Sequence, residues 1–249
     1  MRMYVLSGPK VEIPWTSLTI GRHLGEMLKV PVNMYLIQGD DANVLVDTGV
    51  RSEAVDNPSG IGEAAKAAKV YMRREDYVVD QLSMLGLRPA DVDYVVLTHM
   101  HWDHAGGLRE FRESEVLVQY DEYRYALYPD SFYRWGYIKE DFEGVRVKTI
   151  SGIHYLLEGK VIVFPTPGHT PGHQSVMVRL NSGDYVITGD ALNLMENLDE
   201  GVFPWIQWNL PSMLKSVELF KALQRFEKAT LLPSHDPFVE LKRPPHFYS

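Results

Sequence analysis

Short apolar runs recur along the chain, and their β-branched and aromatic content marks most of them as strands. Val32 to Gln38 is one, and Asn43 to Val46 follows a Gly39-Asp40-Asp41 turn, so the pair predicts a hairpin. Asp93 to Leu97 and Val116 to Gln119 have the pattern of buried strands. Val145 to Ile150, Lys160 to Pro165, Gln174 to Leu180 and Asp184 to Thr188 read as successive strands, the last two joined by an Asn181-Ser182-Gly183 turn. A final run, Thr230 to Leu232, leads into Pro233-Ser234-His235-Asp236.

Helical spacing is sparser. Val78, Val79, Leu82 and Leu85 predict a helix within Arg73 to Leu85, with Gly86 placed to end it. Residues 51–73 are mixed, with a helical hint in Ala64–Ala68. Pro211, followed by Leu214, Val217, Leu219 and Leu223, predicts a helix to about Phe226. Residues 128–142 hold Tyr128, Phe132, Tyr133, Trp135, Tyr137 and Phe142 without clean periodicity. Strands in runs, interrupted by a few helices, imply an α/β (α+β) fold with two sheets and helices packed outside. No repeat or linker divides the chain, so one domain over residues 1–249 is expected.

Composition removes several alternatives. At 45% hydrophobic and 23% charged, the 249 residues are neither disordered nor collagen-like. A net charge of -8 argues against nucleic acid and anionic membrane as partners, because both require basic side chains. Zero cysteines exclude disulfide scaffolds, thiolate zinc fingers, iron–sulfur clusters and cysteine nucleophiles. Met1 to Pro9 lacks the apolar core of a signal peptide, and no run is long enough to span a membrane. A cytoplasmic protein is therefore expected.

The densest polar chemistry lies between two strands, at Thr98-His99-Met100-His101-Trp102-Asp103-His104 before Ala105-Gly106-Gly107. In an extended segment His99 and His101 project to one side, and Asp103 and His104 can turn to a second point. Such closely spaced imidazoles and carboxylates suit divalent cations. Pro167-Gly168-His169, Gly189-Asp190 and Ser234-His235 each follow a strand as well, where loops present function on a rigid scaffold.

The order His-x-His-x-Asp-His, Gly-His, Gly-Asp, His resembles the metallo-β-lactamase superfamily, and Leu45-Val46-Asp47-Thr48-Gly49 resembles its early strand-end motif. Within it the chain is most similar to N-acyl-homoserine lactonases, through Leu28 to Pro31, Val46 to Gly49, His99 to Gly107, Thr166 to Ser175 and Ser234 to Asp236. The likeness runs from about residue 28 almost to the end. It implies a four-layer αββα sandwich with two metals at one edge of the sheets. By the resemblance, His99, His101 and His169 hold the first metal, and Asp103, His104 and His235 the second. Asp190 bridges them, and Asp47 is a buried residue that supports the ligand loop. His173 matches a family position that is not usually a ligand and reads as a hydrogen-bonded loop histidine. His23, His154 and His246 have no motif around them.

Two cations about 3.5–4 Å apart can acidify a shared water. The expected reaction is therefore hydrolytic opening of a lactone ring, with Asp103 and Asp190 in catalytic positions. N-acyl homoserine lactones are the leading substrates that the resemblance implies, with other lactones or esters behind them. Zinc suits the all-nitrogen and oxygen donors, with cobalt, iron and manganese as alternatives. Trp102, inside the ligand loop, is expected in the pocket wall. The 128–142 aromatics, with Phe203, Trp205 and Trp208, can serve as core, as a lid over an acyl chain, or as a homodimer contact. Thioester, β-lactam and phosphodiester hydrolysis, and a non-hydrolytic metal scaffold, are the competing readings. The sequence also departs from the family: Asn193 stands three residues after Asp190, where the lactonases commonly carry a tyrosine. An amide donates a hydrogen bond but cannot supply a proton. Asn193 is thus a candidate substrate contact, and Tyr137 or another loop tyrosine a candidate replacement.

Overall fold

Alternating apolar residues build the larger of two sheets from a long N-terminal hairpin. In the computed structural model, which describes residues 1–249, β1 (Arg2–Pro14) pairs antiparallel with β2 (Met27–Gln38). That strand pairs across the expected turn with β3 (Asn43–Val46), and β4 (Lys69–Tyr71) lies beside β1 at the edge. β5 (Tyr94–Val96), β6 (Glu115–Gln119) and β7 (Val147–Ile150) add in parallel, giving the order β4-β1-β2-β3-β5-β6-β7. The second sheet contains β8 (His154–Leu156), β9 (Val161–Pro165), β10 (Gln174–Leu180), β11 (Gly183–Ile187) and β12 (Thr230–Leu232). Its order is β12-β11-β10-β9-β8, with only the β11–β12 pair parallel.

The period of two sorts each strand into an inner and an outer face. Val5, Ile37, Val46 and Val96 of the large sheet meet Val163, Val176, Val178 and Ile187 of the small one in a common apolar layer. On the outer side of the large sheet, Leu36, Leu45 and Val116 pack under α1 (Val78–Ser83) and α3 (Tyr120–Leu127) through Leu82 and Ala126. Phe142 of α4 (Lys139–Phe142) joins that cluster, and α2 (Trp102–Ala105) adds Ala105. Outside the small sheet, Met177 and Val186 pack under Leu198 of α5 (Met195–Asp199) and Val217 and Phe220 of α6 (Leu210–Ala222). The result is the expected αββα sandwich. Burying each such valine contributes about 1.5–3 kcal/mol. A one-residue slip would turn a whole strand inside out, so this layer fixes the register. With β3 parallel to β5 in one sheet, and β9, β11 and β12 parallel in the other, the strand ends that precede the candidate ligands gather at one edge.

Asn43–Val46, Gln174–Leu180 and Thr230–Leu232 form strands with the expected bounds. The 13-residue β1 has no counterpart in the sequence reading, because Gly8-Pro9 interrupts its pattern. The strand absorbs both residues in a register shift between Ser7 and Lys10. The helix expected over Arg73–Leu85 is shorter. The Asp76 carboxylate accepts from Arg73 N at 2.8 Å and closes a separate 3-10 turn, Arg74–Asp76, and Tyr77 then turns extended before α1. α6 runs on through a π-helical turn, Leu223–Glu227, to Lys228. No helix is long and apolar enough to cross a membrane.

Candidate metal centre

The loops after β5, β9, β11 and β12 deliver all seven candidate ligands to one place. The ligand atoms of His99, His101 and His169 lie within 4.8 Å of one another, as do those of Asp103, His104 and His235, and those of His99, His104 and Asp190. Asp190 sits between the first two sets. Its Oδ1 is 3.2 Å from His104 Nε2 and 3.1 Å from His235 Nε2, and its Oδ2 is 3.4 Å from His169 Nε2. Backbone turns place it there: Gly189 adopts φ 55, and a Cβ at that position would lie 2.6 Å from His173 Nε2.

Hydrogen bonds from the outer ring nitrogens fix how the candidate ligands face. His169 Nδ1 donates to the Ile206 carbonyl at 3.0 Å, His235 Nδ1 to the Pro31 carbonyl at 2.9 Å, and His104 Nδ1 to Asp47 Oδ2 at 2.8 Å. Each bond leaves an Nε2 lone pair pointing inward, the tautomer a metal requires. Asp47, at φ 59, also accepts from Thr98 N at 2.7 Å and from Thr98 Oγ1 at 2.8 Å. One carboxylate thus anchors the start of the ligand loop and orients His104.

The donor set passes a direct test of fit to cations. His99 Nε2, His104 Nε2 and Asp190 Oδ1 are buried without a hydrogen-bond partner. His104 Nε2 is close to Asp190 but lacks hydrogen-bond geometry. Leaving buried polar atoms unpaired costs about 1–3 kcal/mol each, whereas imidazole nitrogen and carboxylate oxygen facing one another around a cation satisfy all of them. Burial, and then neighbouring imidazoles, hold the pKa of His99 and of His101 well below the usual histidine range. Burial also opposes charge on His104 and His235, but Asp190 and Asp103 outweigh it and raise both. Asp190, despite its burial, is held well below the usual carboxylate range by His235, His104 and His169. Protons and cations therefore compete for the same lone pairs.

A cavity of about 330 Å³ opens onto His101, Asp103, His169, Asp190 and His235, and its walls include Ile13, Leu18, Val30, Trp102, Trp135 and Trp205. Two of the aromatic loops meet at its Trp205 wall. Phe132 packs edge-on against Trp205 at 5.7 Å between centroids, and Tyr133 Oη donates to the Gln207 carbonyl at 2.6 Å. Trp102 is on the cavity wall; Asn193 and Tyr137 are not. The Asn193 side chain is 1% exposed and lies between the Asp190 carbonyl and the Ser234 hydroxyl, each at 3.4 Å. Tyr137 turns its hydroxyl to Glu122 at 3.3 Å and its ring edge to His101, 4.8 Å away.

His173 is fully buried, and burial pushes its pKa down to about 3. Ser175 Oγ must donate to the Thr188 carbonyl, so Thr166 donates to Ser175 and His173 Nδ1 donates to Thr166. His173 is a neutral, hydrogen-bonded loop residue. His23 stacks on Trp15 at 3.7 Å and stands 3.2 Å from Glu196 Oε1, and His154 is in β8.

Glu122 carries no motif in the sequence, yet it is 0% exposed and accepts from Met100 N, Tyr137 Oη, Thr170 Oγ1 and Gly172 N. A glutamate on the same helical face as Tyr125 and Ala126, both buried in α3, is the available signal.

The family model described as the metallo-beta-lactamase superfamily matches residues 28–235. N-acyl homoserine lactonase AttM of Agrobacterium fabrum is 31% identical over 260 residues, covering 100% of this chain and 99% of the relative. N-acyl homoserine lactonase AiiA of Bacillus thuringiensis subsp. kurstaki is 30% identical over 239 residues, covering 94% and 93%. A solved N-acyl homoserine lactone hydrolase, with the product N-hexanoyl-L-homoserine at its catalytic metal center, superposes with a TM-score of 0.90. It is 29% identical and covers 99% of this chain and 98% of that one. With the ligand order, the sandwich and these relatives in agreement, the chain belongs to the metallo-beta-lactamase superfamily, among its N-acyl homoserine lactonases.

Proposed function

We propose that the protein hydrolyses the ring ester of N-acyl homoserine lactones with two divalent cations, zinc foremost, held as His99, His101 and His169 on one side and Asp103, His104 and His235 on the other. Asp190 is shared between the two. The observation that carries this reading is the convergence of both ligand sets on Asp190 at the floor of an apolar cavity. When bound, such a pair supplies Lewis acidity and lowers the pKa of a water towards ~7.

The chain's own residues do the rest. Ile13, Leu18, Trp102 and Trp205 line a cavity whose size suits a small ligand and whose apolar wall suits an acyl chain. Asp103 borders both the second ligand set, at 3.5 Å from His235 Nε2, and the cavity. Its carboxylate takes the proton of the attacking water and returns it to the ring oxygen as the acyl carbon–oxygen bond breaks. The amide bond stays intact, and the product is an N-acyl homoserine. Neither Asn193 nor Tyr137 reaches the cavity, so acid assistance to the leaving alkoxide falls to Asp103.

The test is turnover of a panel containing an N-acyl homoserine lactone, a thioester, a β-lactam and a phosphodiester by zinc-loaded protein. The lactone should give the highest kcat/KM. A larger value for any other class would remove the lactonase assignment.

A further inference from the structure

The first ligand set is spread over two loops that no backbone ladder joins at the level of the ligands. Met100 lies between His99 and His101 in one loop, and Thr170 follows His169 in the other. Gln174 N donates to the Thr98 carbonyl at 2.8 Å and His169 Nε2 lies 3.0 Å from His101 Nδ1, and beyond these contacts one buried carboxylate bonds both loops. Glu122 Oε1 accepts from Met100 N at 3.0 Å and from Tyr137 Oη at 3.3 Å, and its Oε2 accepts from Thr170 Oγ1 at 2.5 Å and from Gly172 N at 3.3 Å. We propose that Glu122 is a positioning residue for the His99–His101–His169 set, and that it governs that set's affinity for its cation without touching cation or substrate. The inference rests on the metallohydrolase reading above.

Three features support a specific clamp rather than general packing. The loop approaches α3 so closely that a Cβ at Gly172 would lie 2.0 Å from Glu122 N, which only glycine permits. The Tyr137 ring, held through its hydroxyl, packs edge-on against His101, and a Cβ at the adjacent Gly136 would lie 2.6 Å from His101 Cδ2. The second set is oriented by other groups, since His104 bonds Asp47 and His235 bonds the Pro31 carbonyl. Loss of the clamp should therefore be felt at one cation and not at the other.

Glu122→Gln keeps the shape and breaks the pairing. If the amide nitrogen takes the Oε1 place, Met100 N–H faces a donor; if it takes the Oε2 place, Gly172 N–H does. A threonine or tyrosine hydroxyl can rotate to accept, but a backbone N–H cannot. The experiment is a chelator titration of zinc-loaded protein, followed by the ions released per chain, on the native chain, Glu122→Gln, Thr170→Val and His235→Ala. His235→Ala marks the step that belongs to the second set. In Glu122→Gln the other step should shift to about 10–100-fold weaker binding, the usual effect of disturbing a ligand's support, with kcat lowered and KM kept. Thr170→Val, which removes one donor, should weaken the same step less, and it decides the matter if Glu122→Gln does not fold. Both ions held as in the native chain, or both weakened equally, would overturn the proposal. Because the readout is metal release, a failed lactone assay leaves this result separately readable.

Discussion

Replacing Asp47 by Asn tests whether the ligand loop depends on a carboxylate or merely on a side chain of that shape. Asp47 lies at φ 59, a conformation asparagine also tolerates, so the backbone is not the variable. Its side chain is 3% exposed and accepts three bonds: from Thr98 N at 2.7 Å, Thr98 Oγ1 at 2.8 Å and His104 Nδ1 at 2.8 Å. An amide retains one acceptor oxygen. Turned towards Thr98 N, it presents N–H to His104 Nδ1, and the imidazole keeps a bond only by moving its proton to Nε2, where a cation needs the lone pair. Turned the other way, it opposes Thr98 N–H with a second donor. Either orientation forfeits a charge-assisted bond, worth about 1.5–3 kcal/mol. The expected consequence is a loss of about 10–100-fold in affinity for the cation that His104 holds. Chelator competition on zinc-loaded Asp47→Asn measures it, with a thermal melt of the metal-free form to separate folding from ligation. Native affinity for both ions, in a folded variant, would refute the reasoning.

Asp190→Ala should reduce bound metal and turnover more than His101→Ala, because its two oxygens face different ligand sets; elemental analysis giving equal, mild losses would argue that it is not shared. Trp102→Leu, at the cavity wall, should raise KM more for long than for short N-acyl chains while kcat holds; identical shifts across chain lengths would take Trp102 out of the acyl site. Asn193→Ala should leave KM unchanged because the side chain is off the cavity wall, and a large rise in KM would restore it as a substrate contact. Burial raises the Asp141 carboxyl to about 7 against the pull of Arg51 and Arg109. Its folded pKa exceeds the unfolded ~3.9, so its contribution to stability is full below about pH 4 and is lost as pH rises through about 7. The difference between the two pKa values sets a ceiling of about 4 kcal/mol. Denaturant midpoints at about pH 5 and about pH 8 should show Asp141→Asn removing that slope; an unchanged slope would contradict it.

The candidate ligands were legible because their chemistry is local. His99 to His104 fall in one short stretch that runs from the end of β5 into α2, and His169, Asp190 and His235 each follow an apolar run that folds as a strand. Strands with both faces covered, such as Gln174–Leu180, announce themselves by composition. β1 does not, because Gly8-Pro9 reads as a break until β2 is laid beside it and the register shift becomes visible. The supports of the site were mostly hidden. Glu122 lies 22 residues from Met100 and 50 from Gly172, and its place on the helical face of Tyr125 and Ala126 marks it as buried without saying what it binds. Tyr137 was legible as an aromatic near the site, but its hydroxyl direction depends on that same glutamate. Asn193 shows the reverse limit: its place in the motif was clear, and its orientation towards the Ser234 hydroxyl came only with the fold.

The most direct test is to run the reaction of zinc-loaded protein with an N-acyl homoserine lactone in ¹⁸O-labelled water and analyse the product by mass spectrometry. The proposed chemistry predicts one intact N-acyl homoserine carrying a single label in its carboxylate and none in its hydroxyl. Label in the hydroxyl, release of a fatty acid with the lactone ring closed, or no ring opening by protein that holds two ions per chain would contradict it.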